Sequence, residues 1–143
     1  MRPDIAFSTD SKGPEAEAVL RGLRRHRAAA LAGRPGGTAA QPLCFFHRDR
    51  AGEVRAGLVA ELALDWLFID KFWVDEGLRG QGLGTALLAA AEAEARRHGA
   101  VGVHLYTSSF QAPDFYRGHG FREIGRLEGR PAGHDRFWFA KRF

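Results

Sequence analysis

Cysteine is almost missing from this chain, and so are the sequence patterns that bind metals. The 143 residues include one cysteine, Cys44, so no disulfide bond can form within the chain. A lone thiol is typical of proteins kept in a reducing compartment, and the apolar segment around Cys44 predicts that it lies in the core. The six histidines form no H-E-x-x-H pattern and no C-x-x-C occurs, so we expect no metal site.

Long apolar runs are also missing. No stretch approaches the roughly 18 residues that cross a bilayer, and Met1-Arg2-Pro3-Asp4 carries no signal-peptide pattern. We therefore expect a cytoplasmic protein with no membrane partner. The length of 143 residues suits a single domain spanning 1–143, and the formal net charge of +4 favours anionic ligands.

The chain does contain a glycine-rich loop, which lies between a predicted strand at 66–74 and a predicted helix. Its residues are Arg79, Gly80, Gln81, Gly82, Leu83, Gly84 and Thr85. The first backbone N–H groups of a helix have no partner within the helix and carry partial positive charge, so such a loop binds phosphate or pyrophosphate. Glycine lets the anion approach the backbone, although glycine also serves a tight turn that binds nothing.

Periodicity predicts strands alternating with helices in the rest of the chain. The predicted strands are 5–8, 43–48, 54–62, 66–74, 101–106, 122–128 and 135–143, and the predicted helices are 15–31, 83–98 and a short one ending at Gly120. The charged pair of Asp70 and Lys71 interrupts an apolar strand, which indicates a bulge or an open face there. The strand, helix and strand over 66–106 form one parallel crossover unit.

Two motifs together resemble the GNAT superfamily of acyl-CoA-dependent N-acyltransferases. Arg79, Gly82 and Gly84 match the acyl-CoA loop pattern (R/Q)-x-x-G-x-(G/A), whereas the spacing departs from the dinucleotide fingerprint and lacks the P-loop lysine. The second motif of the family is N-x-x-A-x-x-F-Y-x-x-x-G-F. Its matching residues are Ala112, Phe115, Tyr116, Gly120 and Phe121, and Ser109 stands where the family usually has asparagine.

The resemblance implies an α/β (α+β) fold with a mixed, mostly antiparallel central sheet of six to seven strands and helices on both faces. It implies acetyl transfer from acetyl-CoA to a primary amine of a small molecule or protein, by direct attack in a ternary complex. The loop amides would bind the pyrophosphate, with Arg79 adding charge. The pantetheine would pair with the strand backbone at Phe72, Trp73 and Val74, the Val74 amide would face the thioester oxygen, and Ser109 would lie near the cofactor.

For the chemistry, Tyr116 is the candidate general acid, since family members place a tyrosine near the sulfur of CoA. Its other interpretation is packing of the short helix on the sheet. Asp70 is the candidate base, with burial raising its pKa, but it equally suits a pair with Lys71 or Arg79 or a contact to the positive charge of the substrate. Glu61 or ordered water are weaker alternatives for the base.

Two rival functions use other features of the sequence. A non-catalytic module that senses acyl-CoA would need only the glycine loop. A nucleic-acid binder would use the arginine-rich helix 15–31, but the chain has no recognition motif or stacking platform, so we expect no nucleic-acid partner. The sequence leaves open the identity of the amine and the oligomeric state, a homodimer included.

Overall fold

A computed structural model describes all 143 residues, which divide into two compact units, residues 1–39 and 40–143. The regular elements are α1 (Pro14–Ala30), β1 (Gln41–Arg48), β2 (Val54–Ala63), β3 (Trp66–Val74), α2 (Leu83–Arg97), β4 (Gly102–Ser108), α3 (Pro113–Gly118), β5 (Arg122–Glu128) and β6 (Asp135–Arg142). A single 3₁₀ turn, Glu76–Leu78, follows β3. None of the helices is long and apolar enough to cross a membrane. The expectation of one domain over the whole chain stays a prediction.

The first unit contains α1 and no strand. Pro14 occupies the first turn of α1, where its missing N–H costs no hydrogen bond, and Glu15 and Glu17 complement the helix dipole. The predicted strand at 5–8 is wrong, because residues 1–8 are irregular and exposed. A four-residue apolar run makes a strand only when a neighbouring strand pairs with it.

The second unit is built on one six-stranded sheet with the order β1-β2-β3-β4-β6-β5. All neighbouring strands are antiparallel except β3 and β4, which are parallel. The connection between those two strands is long enough to hold α2, as parallel strands require. The predicted mixed, mostly antiparallel sheet is therefore confirmed.

One face of the sheet carries the core of this unit. Its largest fully buried side chains are Phe139, Leu58, Leu67, Leu88, Leu105 and Val103. From α2, Leu88, Ala91 and Ala95 enter the same cluster at helical spacing, and Tyr116 of α3 joins them. Both α2 and α3 therefore pack on the same face of the sheet, the face on which Phe139 lies.

The prediction that Cys44 lies in the core is wrong, because Cys44 is exposed. Leu43 is 8% exposed and Phe45 packs against the core cluster, so the residue between them points to the other face of β1. Successive side chains alternate along a strand, and on an edge strand this alternation outweighs the preference of a thiol for burial.

The core makes a direct stability prediction. Phe139→Ala should lower the free energy of unfolding by about 3–5 kcal/mol, because the ring is fully buried and its loss leaves a cavity. Ile124→Ala on β5 is the matched control, since Ile124 is 54% exposed. The control should change stability by no more than about 0.5 kcal/mol. Urea denaturation measures both, and equal losses would contradict this placement of the core.

Candidate active site

The sheet opens between β3 and β4. Their pairing ends at Ile69 opposite Leu105, although β4 continues along β6 as far as Ser108. On the other side of β3, the register with β2 shifts so that Asp70 has no partner strand residue opposite it. This is the predicted bulge, and it redirects the end of β3 away from β4. Residues 70–74 therefore keep one backbone edge unpaired.

The direction of the backbone groups along this edge follows from one hydrogen bond. The N–H of Asp75 donates to the carbonyl of Arg55 at 2.8 Å, so the main chain at Asp75 faces β2. Backbone groups alternate sides along a strand, which makes the N–H groups of Phe72 and Val74 face the gap. The carbonyl of Val74 also faces away from β2 and accepts a hydrogen bond of 3.1 Å from Nε of Arg79. The glycine loop and the open edge are thus joined directly.

The glycine loop forms a cradle at the first turn of α2. Gly80 and Gly82 have φ values of 77° and 81°, which a residue with a Cβ adopts only at a cost. A Cβ added at either position would meet no atom within 4 Å, so the space beside each glycine is open. The first helical bond of α2 runs from the N–H of Ala86 to the carbonyl of Gly82, and the N–H groups of Leu83, Gly84 and Thr85 stay available to an anion.

A cleft of about 540 Å³ connects the cradle with the open edge of β3. Its size is within the usual range for ligand sites. The residues predicted to bind the cofactor that do line it are Phe72, Trp73, Val74, Arg79, Gly80, Gly82, Leu83, Gly84 and Thr85. Of the other predicted residues, Gln81 and Ser109 do not line this cleft.

Ser109 is instead tied to the connection between β5 and β6. Its hydroxyl lies 3.1 Å from Nδ1 of His134 and accepts a hydrogen bond of 3.0 Å from the N–H of Asp135. Ser109 therefore closes the end of β4 against β6, and a cofactor contact of its side chain stays a prediction.

Gln111 is a lining residue that the sequence reasoning missed. Its Oε1 accepts hydrogen bonds of 2.9 Å from the N–H of Ser108 and 3.0 Å from the hydroxyl of Thr107. A backbone N–H can only donate, so the atom that it meets must be the amide oxygen. The NH₂ end of Gln111 is consequently turned away from β4, in a residue that lines two clefts. Its position two residues from Ser109 gave no signal in the sequence.

Tyr116 lies where the two clefts meet. Its side chain is 8% exposed and contacts the rings of Phe72, Phe115 and Phe139. No hydrogen bond within the chain uses its hydroxyl. Burial among these rings raises the pKa of Tyr116 to about 12, because ionisation would place a charge in an apolar environment. The hydroxyl thus stays protonated throughout the neutral and moderately alkaline range.

A second cleft of about 290 Å³ lies on the other side of the open edge and includes Asp70, Lys71 and Tyr106. The carboxylate of Asp70 is 2.6 Å from Nζ of Lys71, and its side chain is 40% exposed. The hydrogen bond that Lys71 donates to the carboxylate of Asp70 raises the pKa of Lys71 above its usual value. The pair with Lys71, which was one of the interpretations of Asp70, is therefore observed, whereas burial of Asp70 is not, and its role as a base stays a prediction.

A comparison with known protein families identifies this arrangement. The family described as "Acetyltransferase (GNAT) domain" matches residues 42–123, which include the cradle, the open edge and α3. This chain belongs to the GNAT acetyltransferase family. The resemblance of the two sequence motifs is therefore confirmed, and the chain is an acyltransferase.

Relatives of this GNAT protein support acetyl transfer. A blasticidin-S acetyltransferase of Streptomyces morookaense is 39% identical over 132 residues, which are 92% of this chain and 90% of the relative. The crystal structure of an acetyltransferase from Bacillus cereus is 29% identical, with a TM-score of 0.88 and coverage of 99% of this chain and 98% of that one. These relatives are enzymes, so the alternative of a non-catalytic sensor is not favoured.

A more distant structure has the same fold and contains the acyl donor. It is an acetyltransferase from Bacillus anthracis in complex with acetyl coenzyme A, which is 19% identical, with a TM-score of 0.64. The match covers 81% of this chain and 68% of that chain. Proteins of this fold therefore include one that binds acetyl-CoA.

The cradle geometry predicts different effects for two glycine substitutions in the GNAT loop. Gly82→Ala should weaken binding of coenzyme A by about tenfold, because a Cβ at positive φ costs roughly 1–2 kcal/mol and enters the cradle. Gly84→Ala should change binding by less than about threefold, since helical conformation suits alanine. Its Cβ would meet Phe115 at an ordinary contact distance of 3.5 Å. Isothermal titration calorimetry measures both, and equal losses would argue against a backbone cradle at Gly82.

Proposed function

We propose that this GNAT enzyme binds acetyl-CoA in the larger cleft and a small-molecule amine in the smaller one. The observation that carries the proposal is that the two clefts meet at the open edge of β3. The residues lining both are Phe72, Trp73, Gln111, Ala112 and Tyr116. Two reactants that enter by separate clefts can meet at one edge, which supports direct transfer in a ternary complex.

The larger cleft has the features that an acyl-CoA requires. The N–H groups at the first turn of α2 and the guanidinium of Arg79 offer donors to a diphosphate. The unpaired backbone of Phe72 and Val74 offers a strand edge that an extended, amide-containing arm can pair with. The empty space at Gly80 and Gly82 leaves room for the anion close to the main chain. These features support acetyl-CoA as the donor.

Bound acetyl-CoA supplies a thioester, and the residues around the junction supply the rest. The N–H of Val74 stabilises negative charge on the thioester oxygen, a contribution typically of about 3 kcal/mol for one such donor. The hydroxyl of Tyr116 protonates the sulfur as the carbon–sulfur bond breaks and the carbon–nitrogen bond forms. The nitrogen then loses one proton to solvent, and solvent returns a proton to Tyr116. The burial that raises the pKa of Tyr116 also raises the pKa of a thiol beside it. The transfer of a proton from the phenol to the sulfur is therefore not disfavoured by the raised pKa of Tyr116 alone.

The ammonium form of the acceptor must lose its proton before attack. Asp70 is the carboxylate of the smaller cleft, and its contact with Lys71 leaves two roles open for it. It either takes the proton through water or holds a positive charge of the substrate. The exposure of Asp70 favours the second role, because a substrate cation that enters the smaller cleft can reach its carboxylate directly.

The relative from Streptomyces morookaense suggests where to look for the acceptor. Its name gives blasticidin S as the compound that it acetylates, and it matches this chain over 90% of its length. We therefore propose amine-bearing antibiotics of small size as the substrate class. A reaction of the purified protein with acetyl-CoA and blasticidin S should release free thiol and give a mono-acetylated product by mass spectrometry. No thiol release with this compound or with a panel of antibiotic and metabolic amines would contradict the proposal.

Tyr116→Phe should lower kcat by about 100-fold, the lower range for loss of a general acid, with little change in the KM for acetyl-CoA. Tyr106→Phe is the matched control, since Tyr106 is the other tyrosine and is 41% exposed. It should alter the KM for the amine rather than kcat.

Because burial raises the pKa of Tyr116 to about 12, its ionisation should not limit kcat below about pH 11. An alkaline loss of kcat near pH 10 that disappears in Tyr116→Phe would contradict this environment.

A further inference from the structure

One histidine outside both clefts touches the cradle. His119 ends α3, and its Nε2 is 3.0 Å from Oγ1 of Thr85, the third residue of α2. On its other side, Nδ1 of His119 is 2.7 Å from the carbonyl oxygen of Phe115. The imidazole also packs on the Phe115 ring, with 4.3 Å between ring centroids. The ring of His119 is therefore held in one orientation between α3 and the cradle.

These two contacts fix the location of the proton on the ring. A carbonyl oxygen only accepts hydrogen bonds, so Nδ1 of His119 must carry a hydrogen whether the ring is neutral or charged. The two charge states then differ only at Nε2. In the neutral ring, Nε2 accepts the hydroxyl hydrogen of Thr85. In the charged ring, Nε2 donates to the hydroxyl oxygen, and the hydroxyl hydrogen of Thr85 becomes available to another acceptor.

That acceptor would lie in the cradle. Thr85 lines the larger cleft beside the N–H groups that offer donors to an anion. With neutral His119, the hydroxyl presents a lone pair toward this site, which repels a phosphate oxygen. With charged His119, it presents a hydrogen and the net charge beside the cradle rises by one. A diphosphate therefore interacts more favourably with the charged form.

Carboxylates on α3, β5 and α2 already pair with cations. The contacts are Arg117–Asp114 at 2.7 Å, Arg117–Glu123 at 3.2 Å and Lys141–Glu92 at 3.0 Å. They come from α3, β5, β6 and α2, and Arg79 adds a fixed cation that lines the cleft. Since each of these carboxylates has a cation, a bound diphosphate is the anion best placed to hold a charge on His119.

We propose that His119 is a positioning residue of the diphosphate site, which takes up one proton from solvent when the diphosphate binds and thereby turns Thr85 into a donor. The proposal rests on the proposed function only in that the diphosphate binds at the cradle. Binding and protonation are linked, so each promotes the other by the same factor. Affinity for the diphosphate consequently falls as pH rises.

The test uses 3′-dephospho-coenzyme A, which keeps the diphosphate and lacks the terminal phosphate that itself titrates near pH 6. Titration calorimetry of the full chain in buffers of different ionisation enthalpy measures the protons taken up. We expect proton uptake on binding and an affinity that declines as pH rises, by a factor per pH unit that the uptake sets and that reaches about tenfold for one whole proton. His119→Gln should abolish both effects, while its amide can still donate to Thr85.

His98→Gln is the matched control, because His98 ends α2, the helix that contains Thr85, as His119 ends α3, and it hydrogen-bonds Glu94 at 3.1 Å. It should leave proton uptake unchanged. Uptake that persists in His119→Gln, or a wild-type chain that binds without uptake, would overturn the proposal and leave the proposed function intact. A wild-type chain that binds neither 3′-dephospho-coenzyme A nor acetyl-CoA would instead overturn the proposed function.

A second measurement uses the wild-type protein alone and requires no substitution. Nitrogen NMR of wild-type protein labelled at histidine distinguishes a ring protonated at Nδ1 alone from one protonated at both nitrogens. On adding 3′-dephospho-coenzyme A at pH 7.5, one ring should change from the first form to the second. If every ring keeps its free-state protonation in the complex, the inference is wrong.

Discussion

The separation of β3 from β4 is the constraint on which the rest of the site depends. Two parallel strands pair as far as Ile69 and Leu105, and the bulge at Asp70 then turns the end of β3 aside. Backbone groups left without partners are costly unless water or a ligand satisfies them. The open edge is therefore at once a local loss of sheet hydrogen bonds and a ready set of donors and acceptors.

Two helices and one aromatic cluster hold this opening in shape. Phe72 on the open edge packs edge-to-face against both Phe115 and Tyr116 of α3. Phe115 in turn approaches α2 at Gly84, where an added Cβ would lie 3.5 Å from the ring. Arg79 adds a polar connection from the glycine loop to the carbonyl of Val74. Strand, cradle and α3 are thus linked by contacts that cross long distances in sequence.

The local features could be predicted from the sequence, and the distant contacts could not. Gly80 and Gly82 lack a Cβ and so favour positive φ, which their positions in the loop predict. The charged residues within β3 indicated its bulge. By contrast, the turn of Cys44 to solvent depends on the register of its strand, and the roles of Gln111 and Ser109 depend on which loop meets the end of β4. His119 and Thr85 are 34 residues apart, and nothing in either motif signals that they touch.

The polar groups left without partners at the cradle and along the open edge belong to the main chain, whereas the smaller cleft is lined by side chains such as Asp70, Lys71 and Tyr106. Amino-acid replacement changes side chains and leaves the backbone N–H of every residue but proline in place. Inherited variation can consequently reshape the second cleft while the first keeps its chemistry. Under the proposed function, a lineage with this architecture can diversify the compounds that it modifies without having to rebuild its means of holding a shared metabolic carrier.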